Sequence, residues 1–423
     1  MDNNKKIDIL IISKYFMPRN TAGVYRVIGF LKYFGENNVR CSVLISSQQD
    51  TEAEGRLNHT IPDTISIYKA REWYIPKLNL SHYRFKFFAR LINKLSTVIE
   101  WKLLPVDQFI LWVPSAVVQA KKILTKGSFD VVLVTTPPRS IQLVGVVLKI
   151  MGVTKYFVAD FRDSWTHQCW APPVSWLNRK AEKLVLRYAD MVVANTPTNK
   201  LLLEKDYPFV KGKTIVVPNG YFPEDAADRR AAHKNNKVFR LIYTGELYEG
   251  MFEGIAYSIK ALKDKHPNLS EYFVAEFAGL MYDEDHEMAR QLGINDVLKY
   301  HGFVSYDKSI ELVRNASMVL FCLKNTPEVS NWVPSKLYFY LGQKRPVLAL
   351  VPDGDAANII KDVNAGYVLA PDAVDEIAIL LERLIFSEDQ LELKYNDEEW
   401  TRYSRREQVK YLSEKIKNLV END

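Results

Sequence analysis

The sequence predicts an α/β fold with two doubly wound domains, each built around a buried parallel sheet. Short apolar runs alternate with longer segments of helical periodicity, which is the pattern of parallel strands joined by helices. The chain has 423 residues, more than a single hydrophobic core usually organises. A polar and charged break at residues 223–237 interrupts the alternation. We therefore expect one domain before the break and one after it.

The first predicted domain spans residues 1–222. Its apolar runs are expected to be strands, because strands covered on both faces are continuously hydrophobic. These runs are Ile7–Ile12, Ser42–Ile45, Val131–Val134, Tyr156–Ala159, Met191–Ala194 and Ile215–Val217. The Asn219-Gly220 pair that follows predicts a turn at the end of this domain.

The second predicted domain spans residues 238–397, after a linker at 223–237. Its expected strands are Phe239–Tyr243, Phe273–Ala278, Met318–Leu323, Val347–Val351 and Tyr367–Leu369. The tail, residues 398–423, has the pattern of a charged amphipathic helix. In doubly wound domains ligands bind at the carboxyl ends of the strands, so we expect a cleft lined by those ends.

Composition excludes several classes of protein. A content of 47% hydrophobic and 25% charged residues is typical of a globular protein and excludes global disorder. The net charge of +5 is compatible with an anionic substrate or membrane surface and argues against a nucleic-acid partner. The three cysteines are far apart, which predicts reduced thiols in the cytoplasm. No run reaches the roughly 18 apolar residues of a membrane-spanning helix.

The stretch from Trp332 to Leu350 predicts an anion-binding corner. Pro334-Ser335 is a helix start signal, Gly342 ends the helix, and an apolar strand follows Arg345-Pro346. A helix start presents unpaired N–H groups, to which Ser335 adds a hydroxyl and Lys336 a fixed cation. Cofactors and metals are not expected, because no His/Cys cluster occurs at ligand spacing.

A glycine loop follows the first strand of the second domain, in Leu241-Ile242-Tyr243-Thr244-Gly245-Glu246. Gly245 would let an anion approach the backbone. Glu246 would repel a diphosphate by roughly 1 kcal/mol or more at close range, unless it points to solvent or binds sugar hydroxyls. Lys336 is the cation expected to compensate for this charge.

The loop after the first strand of the chain carries Gly23 and Arg26 near the start of a predicted helix. Gly23 would let the backbone approach a bound sugar or phosphate. Alternatively, it is only a glycine at a helix entry.

The segment Asp160-Phe161-Arg162-Asp163-Ser164-Trp165-Thr166-His167 begins as a predicted strand ends. Asp163 would accept hydrogen bonds from sugar hydroxyls and Trp165 would stack on a sugar or base, with Arg162 and His167 nearby. Alternatively, Arg162 pairs with a carboxylate and merely fixes the loop.

Residues 84–102 have an amphipathic helical pattern with Lys86, Arg90 and Lys94 on one face. This helix would lie on an anionic membrane surface and bring the protein to a lipid-linked acceptor. Alternatively, it is a core-packed helix with a solvated basic face.

The Pro334-Ser335-Lys336-Leu337 segment and the Asp160-Phe161-Arg162-Asp163-x-Trp165 segment resemble those of GT-B glycosyltransferases of family 4, in the bacterial surface-polysaccharide branch. Departures from the family pattern occur where its members carry two glutamates, here Asn331 and Phe339. A further departure is Ala22-Gly23 where two glycines are usual.

The resemblance implies a GT-B fold whose C-terminal helix crosses back to the first domain. It also implies a retaining glycosyltransferase that moves a sugar from a nucleotide diphosphate sugar, with UDP favoured, to a glycan or lipid-linked acceptor. The expected location is cytoplasmic, with peripheral attachment to the inner face of the membrane. The implied catalytic residues are Lys336, Asp163 and Gly245. The implied donor-binding residues are Gly23, Glu246, Glu328, Asn331, Pro334, Ser335 and Tyr340. The implied acceptor-binding residues are Arg26, Arg162, Trp165 and His167.

Two other functions stay open at the level of sequence. A nucleotide-sugar epimerase of GT-B fold would use Asp163, Glu246 and His301 for acid–base chemistry. A non-catalytic protein that binds a glycan or a partner is favoured by Phe339, which cannot accept a hydrogen bond from a ribose hydroxyl.

Overall fold

A computed structural model of the protein describes residues 6–19, 21–49, 60–72, 106–168, 175–226, 238–387 and 394–421. The chain forms two compact units. The first unit contains Met1–Pro218 together with Val409–Asp423, and the second contains Asn219–Gln408. Each unit is built on its own parallel sheet with helical connections, which confirms the predicted α/β class with two doubly wound sheets.

The first unit holds a seven-stranded sheet in the order β3-β2-β1-β4-β5-β6-β7. Its strands are β1 (Ile7–Ile12), β2 (Val39–Ser46), β3 (Ser66–Ala70), β4 (Val131–Thr135), β5 (Tyr156–Phe161), β6 (Met191–Ala194) and β7 (Thr214–Val216). Its helices among the described residues are α1 (Ala22–Tyr33), α2 (Val113–Lys126), α3 (Gln142–Ile150), α4 (Trp176–Tyr188) and α5 (Pro197–Asp206).

The second unit holds a six-stranded sheet in the order β10-β9-β8-β11-β12-β13. Its strands are β8 (Phe239–Thr244), β9 (Phe273–Ala278), β10 (Leu298–Gly302), β11 (Met318–Cys322), β12 (Val347–Leu350) and β13 (Gly366–Leu369). Its helices are α6 (Glu253–Lys265), α7 (Asp283–Gln291), α8 (Tyr306–Arg314), α9 (Ser335–Gly342), α10 (Asp355–Val363), α11 (Val374–Phe386) and α12 (Asp397–Arg402).

Central strands match the predicted apolar runs closely. In β1, all six residues are buried, and the strand pairs in parallel with β2 and β4, with Ile9 opposite Cys41 and Val131. Because helices cover both faces of such a sheet, every side chain of a central strand must be apolar or paired. The periodicity therefore identifies central strands well.

Two strands were not predicted, β3 and β10. Each lies at an edge of its sheet, and three of the five residues in each are exposed. An edge strand has one neighbour and is partly solvated, so it needs no continuous apolar run. This is why its sequence resembles that of a loop.

The tail, residues 398–423, was predicted to be a single helix. This is wrong in one respect, because the tail forms two helices. These are α12 and α13 (Arg405–Glu421). Between them Ser404 pairs with Tyr221 as an isolated bridge, and its hydroxyl accepts a hydrogen bond from the Glu407 amide at 3.2 Å. The chain must leave the helical path to make this bridge. From Val409 onward α13 belongs to the first unit, as the expected crossing helix does.

The division between the units falls at Pro218 and Gln408, whereas the sequence divided the chain at 222 and 397. Residues 219–222 belong to the second unit because Tyr221 exchanges backbone hydrogen bonds with Tyr403 and Arg405. Of the predicted linker 223–237, the structure describes residues 223–226. In this part, the Asp225 carboxylate accepts a hydrogen bond from the Tyr306 hydroxyl at 2.7 Å.

Candidate functional site

Two glycines bring together the carboxyl ends of β8 and β9. Gly245 has a φ of +102° and Gly279 a φ of +138°, a region that L side chains rarely adopt. A Cβ on Gly279 would lie 2.2 Å from the carbonyl oxygen of Gly245, which is backbone and has no room to yield. Gly245 itself is exposed. The loop therefore offers open backbone at the strand ends, where doubly wound sheets bind ligands.

Helix α9 is anchored to the end of β8 by Tyr340. The amide of Thr244 donates a hydrogen bond to the Tyr340 hydroxyl at 2.8 Å, and Tyr340 is fully buried. Direct contact between Tyr340 and a bound donor, which the resemblance implied, is therefore wrong for this structure. Tyr340 instead fixes the position of α9 relative to the Gly245 loop.

Lys336, the second residue of α9, directs its ammonium group at this loop. The group donates hydrogen bonds to the Tyr243 hydroxyl and to the Glu246 carbonyl, the latter at 3.2 Å. A Cβ built on Gly245 would lie 3.3 Å from its Nζ atom. Burial lowers the pKa of Lys336 to about 8, although Cys322 and Glu246 act in the opposite direction. The predicted cation therefore lies against the glycine loop.

The carboxylate of Glu246 is held by a tyrosine. The Tyr282 hydroxyl donates a hydrogen bond to it at 2.6 Å, and this bond raises the pKa of Tyr282. Tyr248, two residues further along the loop, packs its ring 6.1 Å from the ring of Trp332. The loop and the segment before α9 are thus neighbours. The contacts made by Tyr243 and Tyr282 were not predicted, because no motif points to either residue.

The remaining predicted donor residues lie on the approach to α9. Pro334 is the N-cap of the helix, and its carbonyl accepts a hydrogen bond from the Leu337 amide at 3.1 Å. Ser335, half-buried, is the first helical residue, as predicted. Asn331 is buried, whereas Glu328 is exposed in the turn Pro327–Val329. These residues therefore differ in how open they are to a ligand.

Phe339, where the family pattern has a glutamate, packs among aromatic rings. Its centroid lies 5.9 Å from that of Tyr306 and 5.8 Å from that of Tyr340. Its side chain thus has an apolar packing role that a carboxylate would not fill.

In the first unit Arg26 forms a buried ion pair. Its guanidinium donates two hydrogen bonds to Asp160, at 2.8 and 2.7 Å, and others to the carbonyls of Val217 and Pro218. Arg26 is 2% exposed and Asp160 is fully buried. The expected acceptor-binding role of Arg26 is therefore wrong, because its guanidinium is buried and bonded to groups of the protein.

Gly23, Arg162 and Asp163 lie together. Arg162 pairs with Asp163 at 2.5 Å, and a Cβ on Gly23 would lie 3.1 Å from Nη1 of Arg162. Both members of the pair are partly accessible. The ion pair expected as the alternative to a ligand-binding role thus exists, and it lies beside the start of α1.

Trp165 is a core residue. It is 1% exposed, its indole N–H donates to the side-chain oxygen of Asn178 at 2.8 Å, and it packs beside Phe161. Stacking of Trp165 on a sugar or base is therefore wrong. His167 contacts Asp206, with 3.0 Å between Nε2 and Oδ2. The loop after β5 turns inward beyond Ser164, and α4 covers it.

The acid–base candidates of the epimerase alternative are engaged in local pairs. His301 lies 2.6 Å from Glu276, which also accepts a hydrogen bond from Arg240. Glu246 is bonded to Tyr282 and Asp163 to Arg162. Each of the three groups thus has its own structural partner.

Some predicted features fall outside these sites. The basic face of Lys86, Arg90 and Lys94 lies outside the described residues. Within the ranges given above, no cluster of three His, Cys, Asp or Glu side chains has the geometry to hold a metal ion. Across the same ranges, no helix combines the length and hydrophobicity needed to cross a membrane.

Comparison with known proteins identifies the second unit. Residues 224–406 match the family described as glycosyl transferases group 1. No curated protein matches the chain by sequence. The match covers β8 through α12, and thus includes both the Gly245 loop and α9.

Solved structures resemble the chain over nearly its whole length. A glycosyltransferase from Rickettsia africae has a TM-score of 0.63 at 14% identity, with 99% of this chain and 100% of that chain covered. HepE of Anabaena, in complex with UDP and glucose, has a TM-score of 0.56 at 16% identity, with coverage of 98% and 97%. WaaG, a glycosyltransferase involved in lipopolysaccharide biosynthesis, has a TM-score of 0.57 at 12% identity, with coverage of 98% and 100%.

These likenesses establish the architecture, and the family match covers the unit that carries the Lys336 corner. Taken together, the two parallel sheets and the group 1 domain identify the protein as a glycosyltransferase of GT-B fold.

Proposed function

We propose that the protein is a retaining glycosyltransferase that transfers a sugar from a nucleotide diphosphate sugar, with UDP as the favoured nucleotide, to a glycan or lipid-linked acceptor. The observation that carries the proposal is the position of Lys336 at the start of α9, against the open backbone of Gly245. Support for UDP comes from HepE, whose structure holds UDP and glucose.

The corner suits a leaving diphosphate. As the C–O bond between the anomeric carbon of the sugar and the diphosphate breaks, negative charge grows on the diphosphate oxygens. A fixed ammonium group and unpaired helix N–H groups stabilise that charge, and such preorganised charge is commonly the largest catalytic contribution. The new C–O bond forms to the acceptor oxygen, whose proton passes to the departing diphosphate. This route requires no nucleophilic carboxylate and no metal.

Ribose recognition must differ from the family pattern, because Phe339 is packed between Tyr306 and Tyr340 and has no polar atom. We assign it to Ser335 and nearby backbone groups. We assign Glu246 to binding of the transferred sugar. Tyr282 donates a hydrogen bond to only one of its carboxylate oxygens, so the carboxylate can still accept hydrogen bonds from sugar hydroxyls.

We assign the acceptor side to Gly23, Arg162 and Asp163 of the first unit, which form a partly accessible polar cluster. A lipid-linked acceptor would place the enzyme at the cytoplasmic face of a membrane. WaaG, which acts in lipopolysaccharide biosynthesis, is the structural relative that supports this class of acceptor.

Isothermal titration of the full chain with UDP, GDP, dTDP and CMP tests the donor assignment. We expect micromolar binding of one diphosphate and a loss of at least about tenfold in Lys336→Ala, because a charge-assisted hydrogen bond contributes about 1.5–3 kcal/mol. Lys308→Ala, which removes an exposed lysine of α8, is the matched control and should bind normally. Unchanged affinity in Lys336→Ala would contradict the donor assignment.

A further inference from the structure

The outer side of α4 combines exposed apolar side chains with exposed cations. Trp176 is 63% exposed and Leu184 is 41% exposed. The other outward residues of the helix are Arg179, Lys180, Lys183 and Arg187. Glu182, the helix's one acidic residue, points inward and is fully buried. All charges on the outer side of α4 are therefore positive.

Helix α5 and the turn Pro208–Val210, which follow α4 in the chain, also expose apolar and basic side chains. Leu201 is 64% exposed and Phe209 is 43% exposed, with Lys205 and Lys211 beside them in the sequence. The Tyr207 hydroxyl donates a hydrogen bond to Glu182 at 2.9 Å and so joins the end of α5 to α4. A groove of about 370 Å³ between the two helices is lined by Arg179, Lys180, Lys183, Asp206 and Tyr207. We call this groove, together with the exposed apolar and basic residues of α4, α5 and the turn, the Trp176 face.

Acidic groups do not neutralise the Trp176 face. Asp206 contacts His167 at 3.0 Å, and Glu204 pairs with Lys200 at 3.8 Å. Within the described part of the chain, by contrast, no ion pair is formed by the six outward cations, Arg179, Lys180, Lys183, Arg187, Lys205 and Lys211. The face therefore carries a net positive charge that an external anion would satisfy.

A solvated basic helix does not by itself indicate a binding partner. The exposed apolar residues of the Trp176 face favour a membrane over a nucleic acid. Exposed tryptophan, phenylalanine and leucine beside lysine and arginine are typical of surfaces that lie in the headgroup region of a membrane. Lys180 stacks over the Trp176 ring at 4.5 Å, so its ammonium group is held beside an inserting side chain. Nucleic acid would satisfy the cations and stack on aromatic rings, but it would leave Leu184 and Leu201 in water.

We propose that the Trp176 face docks the first unit on a bilayer that contains anionic lipids. Phosphate headgroups bind the six cations, while Trp176, Leu184, Leu201 and Phe209 enter the interface. The docking surface is made of residues other than the segment 84–102. It adds a partner to the proposed function, but binding to vesicles does not depend on sugar transfer.

Co-sedimentation of the full chain with vesicles tests this proposal. One set of vesicles contains phosphatidylglycerol and phosphatidylcholine, and the other contains phosphatidylcholine alone. We expect binding to the anionic set only, weakening as salt is raised. Lys180→Glu/Lys183→Glu should lower the partition coefficient at least about tenfold, because each basic residue near an anionic surface contributes about 1 kcal/mol. Trp176→Ala should also weaken binding.

Lys308→Glu/Lys361→Glu is the matched control, since it makes the same charge change on exposed lysines of the second unit. Its binding to vesicles should equal that of the wild type. Urea unfolding of every variant shows whether it is folded, and UDP titration separates this proposal from the donor assignment. Equal partition of the wild type and Lys180→Glu/Lys183→Glu would overturn the proposal. A second result would also overturn it. In that result the wild type binds a single-stranded oligonucleotide, and Lys180→Glu/Lys183→Glu loses this binding but still binds vesicles.

Discussion

The ammonium group of Lys336 donates a hydrogen bond to the hydroxyl of Tyr243 and lies 4.2 Å from the centre of its ring. Tyr243 is the penultimate residue of β8, and its hydroxyl in turn donates to the Glu246 carbonyl at 2.6 Å. A strand residue thus orients the cation of a helix that begins more than ninety positions later. Tyr243 is therefore a positioning residue for Lys336.

Tyr243→Phe should weaken UDP binding about fivefold, because it removes one hydrogen bond to the ammonium group while keeping the ring, and such a bond contributes about 1 kcal/mol. Isothermal titration measures the change. Tyr257→Phe, at an exposed position of α6, is the control and should leave affinity unchanged. Equal affinities in the wild type and Tyr243→Phe would show that Lys336 is oriented by other groups.

The pH dependence of UDP binding should report Lys336. Because burial lowers its pKa to about 8, the side chain is charged below that pH and progressively neutral above it. The Kd of the wild type should therefore rise as pH increases from 8 to 9.5, approaching that of Lys336→Ala. Lys336→Arg should show a flatter profile, since guanidinium stays charged throughout. A wild-type Kd that does not change over this range would contradict the assignment.

Gly279→Ala should destabilise the second unit by about 2 kcal/mol or more, because its φ is positive and the new Cβ would overlap the Gly245 carbonyl. Urea unfolding measures this loss. Gly245→Ala should also be strained, because its φ is positive, and it should in addition reduce UDP affinity, since its Cβ would lie 3.3 Å from the Lys336 ammonium group. Gly35→Ala, where no atom lies within 4 Å of the new Cβ, is the control for both.

Arg26→Met should destabilise the first unit by about 3–5 kcal/mol, because it leaves the buried Asp160 carboxylate without its cation. The double variant Arg26→Met/Asp160→Asn should recover part of that loss. Lys200→Met, which breaks a long and partly exposed pair with Glu204 in the same unit, should cost much less. Similar unfolding midpoints for Arg26→Met and Lys200→Met would refute this interpretation of the buried pair.

Stability should also depend on pH through Glu182. Burial raises its pKa to about 7, against hydrogen bonds from Thr166 and Tyr207 that act in the opposite direction. Between about 4.5 and 7 the folded state then binds more protons than the unfolded state, so the free energy of unfolding falls as pH rises and levels off above this window. The total change is on the order of 3 kcal/mol.

Glu182→Gln should remove this slope in urea unfolding measured from pH 5 to pH 8, and should be more stable than the wild type at pH 8. Glu204→Gln, on the neighbouring helix α5, removes the same formal charge near the surface and should keep the slope. A slope that persists in Glu182→Gln would assign the effect to another group.

Local sequence identified much of the second unit. Ser335–Gly342 forms a helix as predicted, because Pro334 fits the position before a helix and the segment is apolar at helical spacing. The proximity of Lys336 to Gly245 also followed from the sequence, since doubly wound sheets gather strand ends and helix starts at one edge. The edge strands β3 and β10 were not predicted, because each is partly exposed to solvent and therefore lacks a continuous apolar run.

The direction taken by single side chains depended on tertiary structure. Trp165 and Arg26 were expected to meet ligands, yet α4 covers the first and the Asp160 carboxylate captures the second. A loop residue enters the core or the cleft according to which neighbours offer it packing and hydrogen bonds. The sequence by itself determined the two parallel sheets and the glycine and lysine at the strand ends, because local periodicity and start signals encode them. Only the tertiary structure decided which polar groups pair with each other and which stay open, because their partners lie far apart along the chain.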